Sequence, residues 1–300
     1  MLFDGNELET DHRYFQNLGK TDFRPDIAAW CEATFERSQM LLDDDFPARF
    51  RRETPQRISE LLFAAAFLDA GWEPLGRVPG FDLAFKLGEG RLLVEITTPE
   101  PHSPDTWTET KGDGYTSWST DAKTEDAALR RLTGGFATKA ETIRKHCDAG
   151  EVSGADYIVV AISGFRITQE SPVAPEIGGP VPDFAKAFLP IGSRYVTVRL
   201  GADADIPIGG GWQFKATIDQ EGKNPVDRDF FLRPEFQHIH AVAYTPLHFG
   251  EPISPVKECA ALHNPMARPK AEAIALGLGC EFGVDIGEDE FAIGPLKPAS

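Results

Sequence analysis

The chain has 300 residues, 41% of them hydrophobic and 26% charged, which suits one large globular domain or two small ones. A formal net charge of −17 argues against a nucleic-acid partner, because such a chain repels phosphates at long range. No apolar run approaches the roughly 20 residues of a membrane helix, and Met1 to Glu9 carries no signal-peptide pattern. Cys31, Cys147, Cys259 and Cys280 are far apart and form no C-x-x-C pair, so reduced thiols in a cytoplasm are expected.

Residues before Phe23 are polar and are expected to be loosely held. Pro25 to Leu42 reads as an amphipathic helix with Ile27, Trp30, Cys31, Phe35 and Met40 on or near one face. Thr54 to Gly71 is a second helix. Thr54 can cap it, Pro55 suits its first position and Gly71 suits its stop. Ile58, Leu61, Leu62, Ala65 and Leu68 make its apolar face, and Glu60 lies beside that face.

Val78 to Thr98 places two apolar runs around a glycine-rich turn, which predicts a β-hairpin. Asp82 opens its first strand. Glu95 is a lone charge in the second, where alternation sets it on one face with Leu93 and Thr97. A buried, unpaired carboxylate there costs several kcal/mol, on the order of a lost ionic partner. Two carboxylates on adjacent strands can share a hard divalent cation such as Mg2+.

Pro99 to Pro104 must leave regular structure, and Asp105 to Asp121 reads as a long loop, with His102 and Trp107 near the end of the Glu95 strand. A third helix runs from about Thr124 to Cys147 on a stripe of Leu129, Leu132, Phe136 and Ile143, with Gly134 and Gly135 marking a bend or a close approach. Lys139 continues that stripe, whereas Lys145 lies off it. Ala155 to Ser163 is a near-continuous apolar strand, suited to a sheet covered on both faces. Residues 170–181 read as loop, and Arg194 to Leu200, Trp212 to Ile218 and Asp229 to Leu232 as strands of an inserted sheet. Ile239 to Tyr244 is expected to rejoin the core, and Leu262 to Pro269 to be extended or turning.

The order Glu60, Asp82, then Val94-Glu95-Ile96-Thr97 resembles the core of the PD-(D/E)XK nuclease superfamily, from roughly Arg51 to Gly164, with weaker continuation to about residue 249. The resemblance implies an α/β fold: a mixed central sheet flanked by helices, here with a β-rich insertion at about 190–233. It implies a helical extension over 1–50 and a C-terminal extension, 250–300, packed on the core. It also implies a Mg2+-dependent nuclease, with Mn2+ as an alternative ion, that hydrolyses DNA in bacterial restriction, defence or repair. Asp82, Glu95 and the Ile96 carbonyl would be the metal ligands, and Glu60 a supporting acid. The family's lysine two residues past the glutamate is replaced by Thr97, and Gly80 and Phe81 separate Pro79 from Asp82. In this superfamily the lysine role can move to a neighbouring helix, which implies Lys139.

Several alternatives stay open. The chain can keep this fold as an inactive binding or scaffolding protein, which Thr97 and the acidic charge favour. Lys139 can instead lay its stem on apolar surface while its amine reaches water. A local basic face can form from Arg51, Arg52, Arg57, Arg130, Arg131, Lys139, Arg144 and Lys145, or these can be solvated helix faces. His238 and His240 have the spacing of a strand zinc site, with His248 and His263 further along. No G-x-S-x-G elbow, Walker lysine loop or dinucleotide glycine fingerprint is present. Oligomeric state is left open, a homodimer among the alternatives.

Overall fold

The computed structural model describes residues 1–3, 11–18, 24–100, 108–112, 115–119, 122–170, 177, 181–199, 206–220, 222–246, 254–268, 274–288 and 290–296. His102, Trp107 and His248 lie outside them.

Four helices come first: α1 (Arg13–Leu18), α2 (Pro25–Ser38), α3 (Phe46–Arg52) and α4 (Thr54–Asp69). The N-terminal residues are less loosely held than their polarity suggests, because Leu2, Phe15 and Leu18 are buried in the core. Thr54 does not cap α4. Its hydroxyl donates back to the Phe50 carbonyl at 2.8 Å and ties α4 to α3. Gly71 does end the helix, at a φ of 91° that favours glycine.

The hairpin of β1 (Leu83–Leu87) and β2 (Gly90–Thr97) follows, paired from Leu83–Val94 to Leu87–Gly90. The expected long loop instead contains a second hairpin, β3 (Thr108–Gly112) with β4 (Tyr115–Ser119). Its Thr- and Ser-rich strands carry too little apolar alternation to be told from a loop by pattern. Then come α5 (Ala122–Asp148), β5 (Tyr157–Ser163) and α6 (Phe165–Glu170).

The insertion is not one sheet. β6 (Ile191–Arg199) pairs with β7 (Ile206–Phe214) in one ribbon, and β8 (Thr217–Ile218) with β9 (Val226–Asp227) in another. Phe230–Leu232 is a 3-10 turn rather than a strand, and it buries Phe230 and Phe231. β10 (Ala241–Thr245) rejoins the central sheet. The C-terminal part, after the short α7 (Pro255–Glu258), adds β11 (Ala260–His263), β12 (Cys280–Ile286) and β13 (Phe291–Pro295) to that sheet rather than packing on it from outside.

The chain is thus an α/β protein with a seven-stranded mixed sheet in the order β1-β2-β5-β10-β11-β12-β13. β2, β5 and β10 run parallel, while β1 and β11 are antiparallel to their inner neighbours. Alternation divides the core. Val94, Ile96, Val159 and Ala161 face α2–α4, and Val160, Ile162, Val242 and Tyr244 face α5. A sheet covered on both faces explains the unbroken apolar run of β5. No helix among the described residues is long and apolar enough to cross a membrane.

Candidate functional site

The site forms where β1 parts from β2. The Asp82 N–H makes the last rung of the ladder, donating to the Val94 carbonyl at 3.0 Å. Two residues further along β2, the Asp82 carboxylate takes the place of a backbone acceptor: Oδ2 receives the Ile96 N–H at 2.6 Å. Gln56 on α4 continues this splint. Its amide accepts the Thr98 N–H at 3.1 Å and donates to the Ile96 carbonyl at 3.3 Å.

Glu95 points to the α5 side of β2 and is buried. α5 can lie close there because it carries Gly135, where a Cβ would come within 3.2 Å of Thr97 Cγ2 and Pro99 Cγ. The expected close approach is therefore real. One helical turn beyond it, Lys139 places Nζ 2.7 Å from Glu95 Oε2 and 3.5 Å from Asp82 Oδ2. Lys139 is thus an ion-pair partner and not a stem with its amine in open water. Lys145 pairs only with Glu141, at 3.8 Å on the helix surface.

The charges are crowded. Burial, and then the hydrogen bond and charge of Asp82, push the Glu95 carboxyl up to about 8, against the pull of Lys139. Burial disfavours the Lys139 ammonium, but the two carboxylates outweigh it and hold its pKa above the ordinary value. Glu60 sits behind the site, gripped by Arg57 Nη1 at 2.6 and 2.7 Å. Burial and the charge of Asp82 nevertheless raise Glu60 to about 7.

Asp82, Glu95 and Lys139 line one cleft of about 660 Å3 with Arg77, Gly80, Phe81, Thr142 and His146. Glu60 and Ile96 do not line it. The fit to a hard divalent cation rests on the two carboxylates, which meet at the Lys139 ammonium as hard oxygen donors. No group of three or more His, Cys, Asp or Glu side chains among the described residues is arranged to hold a metal.

His146 was not singled out by the sequence pattern. Its Nδ1 lies 2.5 Å from Glu151 Oε2, and its ring rests on Gly80, where a Cβ would meet Cε1 at 2.4 Å. Only its position seven residues after Lys139, on the same face of α5, could have marked it.

Elsewhere the expectations diverge. His238 and His240 precede β10 and take separate partners: His238 Nε2 lies 3.3 Å from the Ala140 carbonyl, while His240 Nδ1 accepts the Ile158 N–H at 3.1 Å. His263 is bound between the Tyr157 hydroxyl and Glu281, at 2.9 and 2.8 Å. These rings serve the core rather than one zinc site. The local basic face is largely neutralised, with Arg51 on Asp11, Arg57 on Glu60 and Arg144 on Glu141. In comparisons with known proteins, no family model matches the chain, and neither a curated protein nor a solved structure matches it.

Proposed function

We propose that this chain is a Mg2+-dependent nuclease that hydrolyses DNA phosphodiester bonds, working at the Asp82–Glu95–Lys139 cleft on a restriction-endonuclease-like core. The observation that carries the reading is the meeting of two carboxylates from adjacent strands with a lysine from α5 in one open cleft. Asp82 and Glu95 would hold the ion, Mg2+ or Mn2+, as hard oxygen donors. When bound, a divalent ion supplies charge to a phosphate and acidifies a water. Lys139 steadies both carboxylates and adds positive charge where a phosphate would sit. Arg57 grips Glu60 behind them, and Gln56 fixes the backbone of Ile96 and Thr98. A cytoplasmic role in restriction, defence or repair of DNA follows from the same reading.

The test is cleavage of supercoiled and linear duplex DNA with Mg2+ or Mn2+, comparing the wild type with Asp82→Ala and Glu95→Ala. Circular dichroism checks that both variants fold. Loss of cleavage in both is expected, and undiminished cleavage in both would refute the reading.

One observation favours a second reading, an inactive binding protein on the same fold. Lys139 already neutralises the carboxylates without any metal. Calorimetric titration separates the two, because an inactive scaffold takes up neither Mg2+ nor Mn2+ at the cleft.

A further inference from the structure

The ribbon of β6 and β7 stands apart from the rest of the surface. From Ser193 to Arg199 every residue of β6 is exposed. Tyr195 is 46%, Val196 55%, Trp212 36% and Phe214 71% exposed, on a molecule that buries most of its large apolar side chains. Arg194 lies directly opposite Trp212 in the ladder, and Val196 opposite Gly210. Opposed residues share a face, so a guanidinium, an indole and a valine stand side by side.

The rest of that face is bare backbone. Gly209, Gly210 and Gly211 run along β7, and with Arg194, Val196, Trp212 and Val181 they line a shallow cleft of about 750 Å3. A Cβ at Gly210 would come 2.7 Å from the Tyr195 carbonyl oxygen, so the strands admit no side chain there. The result is a flat floor beside a partly exposed indole, with the Lys186 ammonium 5.5 Å from the ring centroid.

The charges are as unusual as the aromatics. Most arginines here are spent on carboxylates, as Arg91 is on Asp156 and Arg233 on Asp229. Arg194 and Arg199 have no ion-pair partner among the described residues. Among the described residues no acid lines the Arg194–Trp212 cleft, while Glu290 lines the adjoining one with Trp212. In a chain of net charge −17, the unspent Arg194 beside the Trp212 ring complements an anion that also carries flat apolar faces.

We infer that the ribbon is a binding arm for single-stranded nucleic acid, with bases stacking on Trp212 and phosphates meeting Arg194. Unpaired bases are required, because a duplex keeps its base faces stacked away from a protein ring. The ribbon sits on the α5 face of the sheet: Ile191 shares a core with α5 and with Phe291 and Ile293 of β13. β13 is five strand spacings from β2, or about 24 Å at the usual 4.8 Å separation. An arm at that distance holds a strand away from the cleft without blocking it. In naming nucleic acid as the partner, the inference rests on the proposed function, but its site is separate.

The test is fluorescence anisotropy with labelled oligothymidylate and a duplex of equal length, in EDTA so that cleavage plays no part. The wild type is expected to bind the single strand more tightly than the duplex, with an affinity that falls as salt rises. Trp212→Ala and Arg194→Ala should each weaken binding about tenfold, Trp212→Phe should retain most of it, and Asp82→Ala should bind like the wild type. Equal binding of duplex and single strand, or undiminished binding by Trp212→Ala and Arg194→Ala, would overturn the inference. Loss of binding in Asp82→Ala alone would also overturn it, by placing the strand in the cleft. A wild-type dimer that Trp212→Ala converts to monomer, seen by sedimentation, would reassign the face to self-association. Intact ribbon-dependent binding in a protein that cleaves nothing would defeat the nuclease reading and leave the arm standing.

Discussion

Lys139 of α5 reaches Glu95 of β2 at 2.7 Å and Asp82 at 3.5 Å, and so ties together two carboxylates of which Glu95 is deeply buried. Replacing it with methionine leaves Asp82 and Glu95 facing one another. Breaking a fully buried pair costs about 3–5 kcal/mol. The lysine side chain is 24% exposed, so we expect less, about 1–3 kcal/mol. Lys139→Met should therefore lower the thermal midpoint, and added Mg2+ should restore part of the loss. An unchanged midpoint would show that the pair carries no stability.

The pH dependence has a definite sign. In the folded chain the Glu95 carboxyl is pushed up from 4.5 to about 8, and Glu60 from 4.5 to about 7. An acid whose pKa is raised by folding binds its proton more tightly in the native state. The stability this provides is complete below the unfolded value and is lost as pH climbs through the folded one. Without divalent ions, the urea midpoint should fall as pH rises from about 4.5 to about 8. Glu95→Gln should flatten much of that slope. A wild-type midpoint that is level across the window would contradict the arrangement.

Arg57 and Glu60 test the support behind the cleft. Both are buried, and the guanidinium grips both carboxylate oxygens. Arg57→Met strands a buried charge and should cost about 3–5 kcal/mol in chemical denaturation. Replacing both residues, Arg57→Met with Glu60→Leu, should cost less than that single change, because no charge is left alone. If the double variant is the less stable, the charge penalty is not what governs this pair.

Gly80 tests the seat of His146. Its φ is 86°, and a Cβ would strike the imidazole. Gly80→Ala should destabilise the fold by more than about 1 kcal/mol, through backbone strain and the clash together. Adding His146→Ala should recover the steric share and not the strain. A double-mutant cycle measures the two parts, and full additivity would mean that the ring does not press on Gly80.

Much of the frame is legible in local pattern. Pro55, the apolar stripe and Gly71 bound α4 because capping chemistry and helical periodicity are written in neighbouring residues. The hairpin of β1 and β2 and the buried β5 follow from runs bounded by turns. Glu95 stands out because a charge inside an apolar strand conflicts with its surroundings. The three C-terminal strands were not legible, since β11 has only four residues and a glycine interrupts each of β12 and β13, which leaves no period long enough to separate from coil. Phe230–Leu232 misleads for the same reason, as three residues cannot distinguish a buried strand from a buried turn.

The amino-acid sequence alone determined the longer helices, the β1–β2 hairpin and β5, which face of each is apolar, and that Asp82 and Glu95 belong to one hairpin. Only the tertiary structure decided that Lys139, 57 residues after Asp82, meets them, that Glu60 turns to Arg57, and that Arg194 stands beside Trp212. The reason is physical. Periodicity records how a residue relates to its own helix or strand, whereas a distant ion pair depends on how two covered faces of a sheet pack, and that is set by the whole core at once.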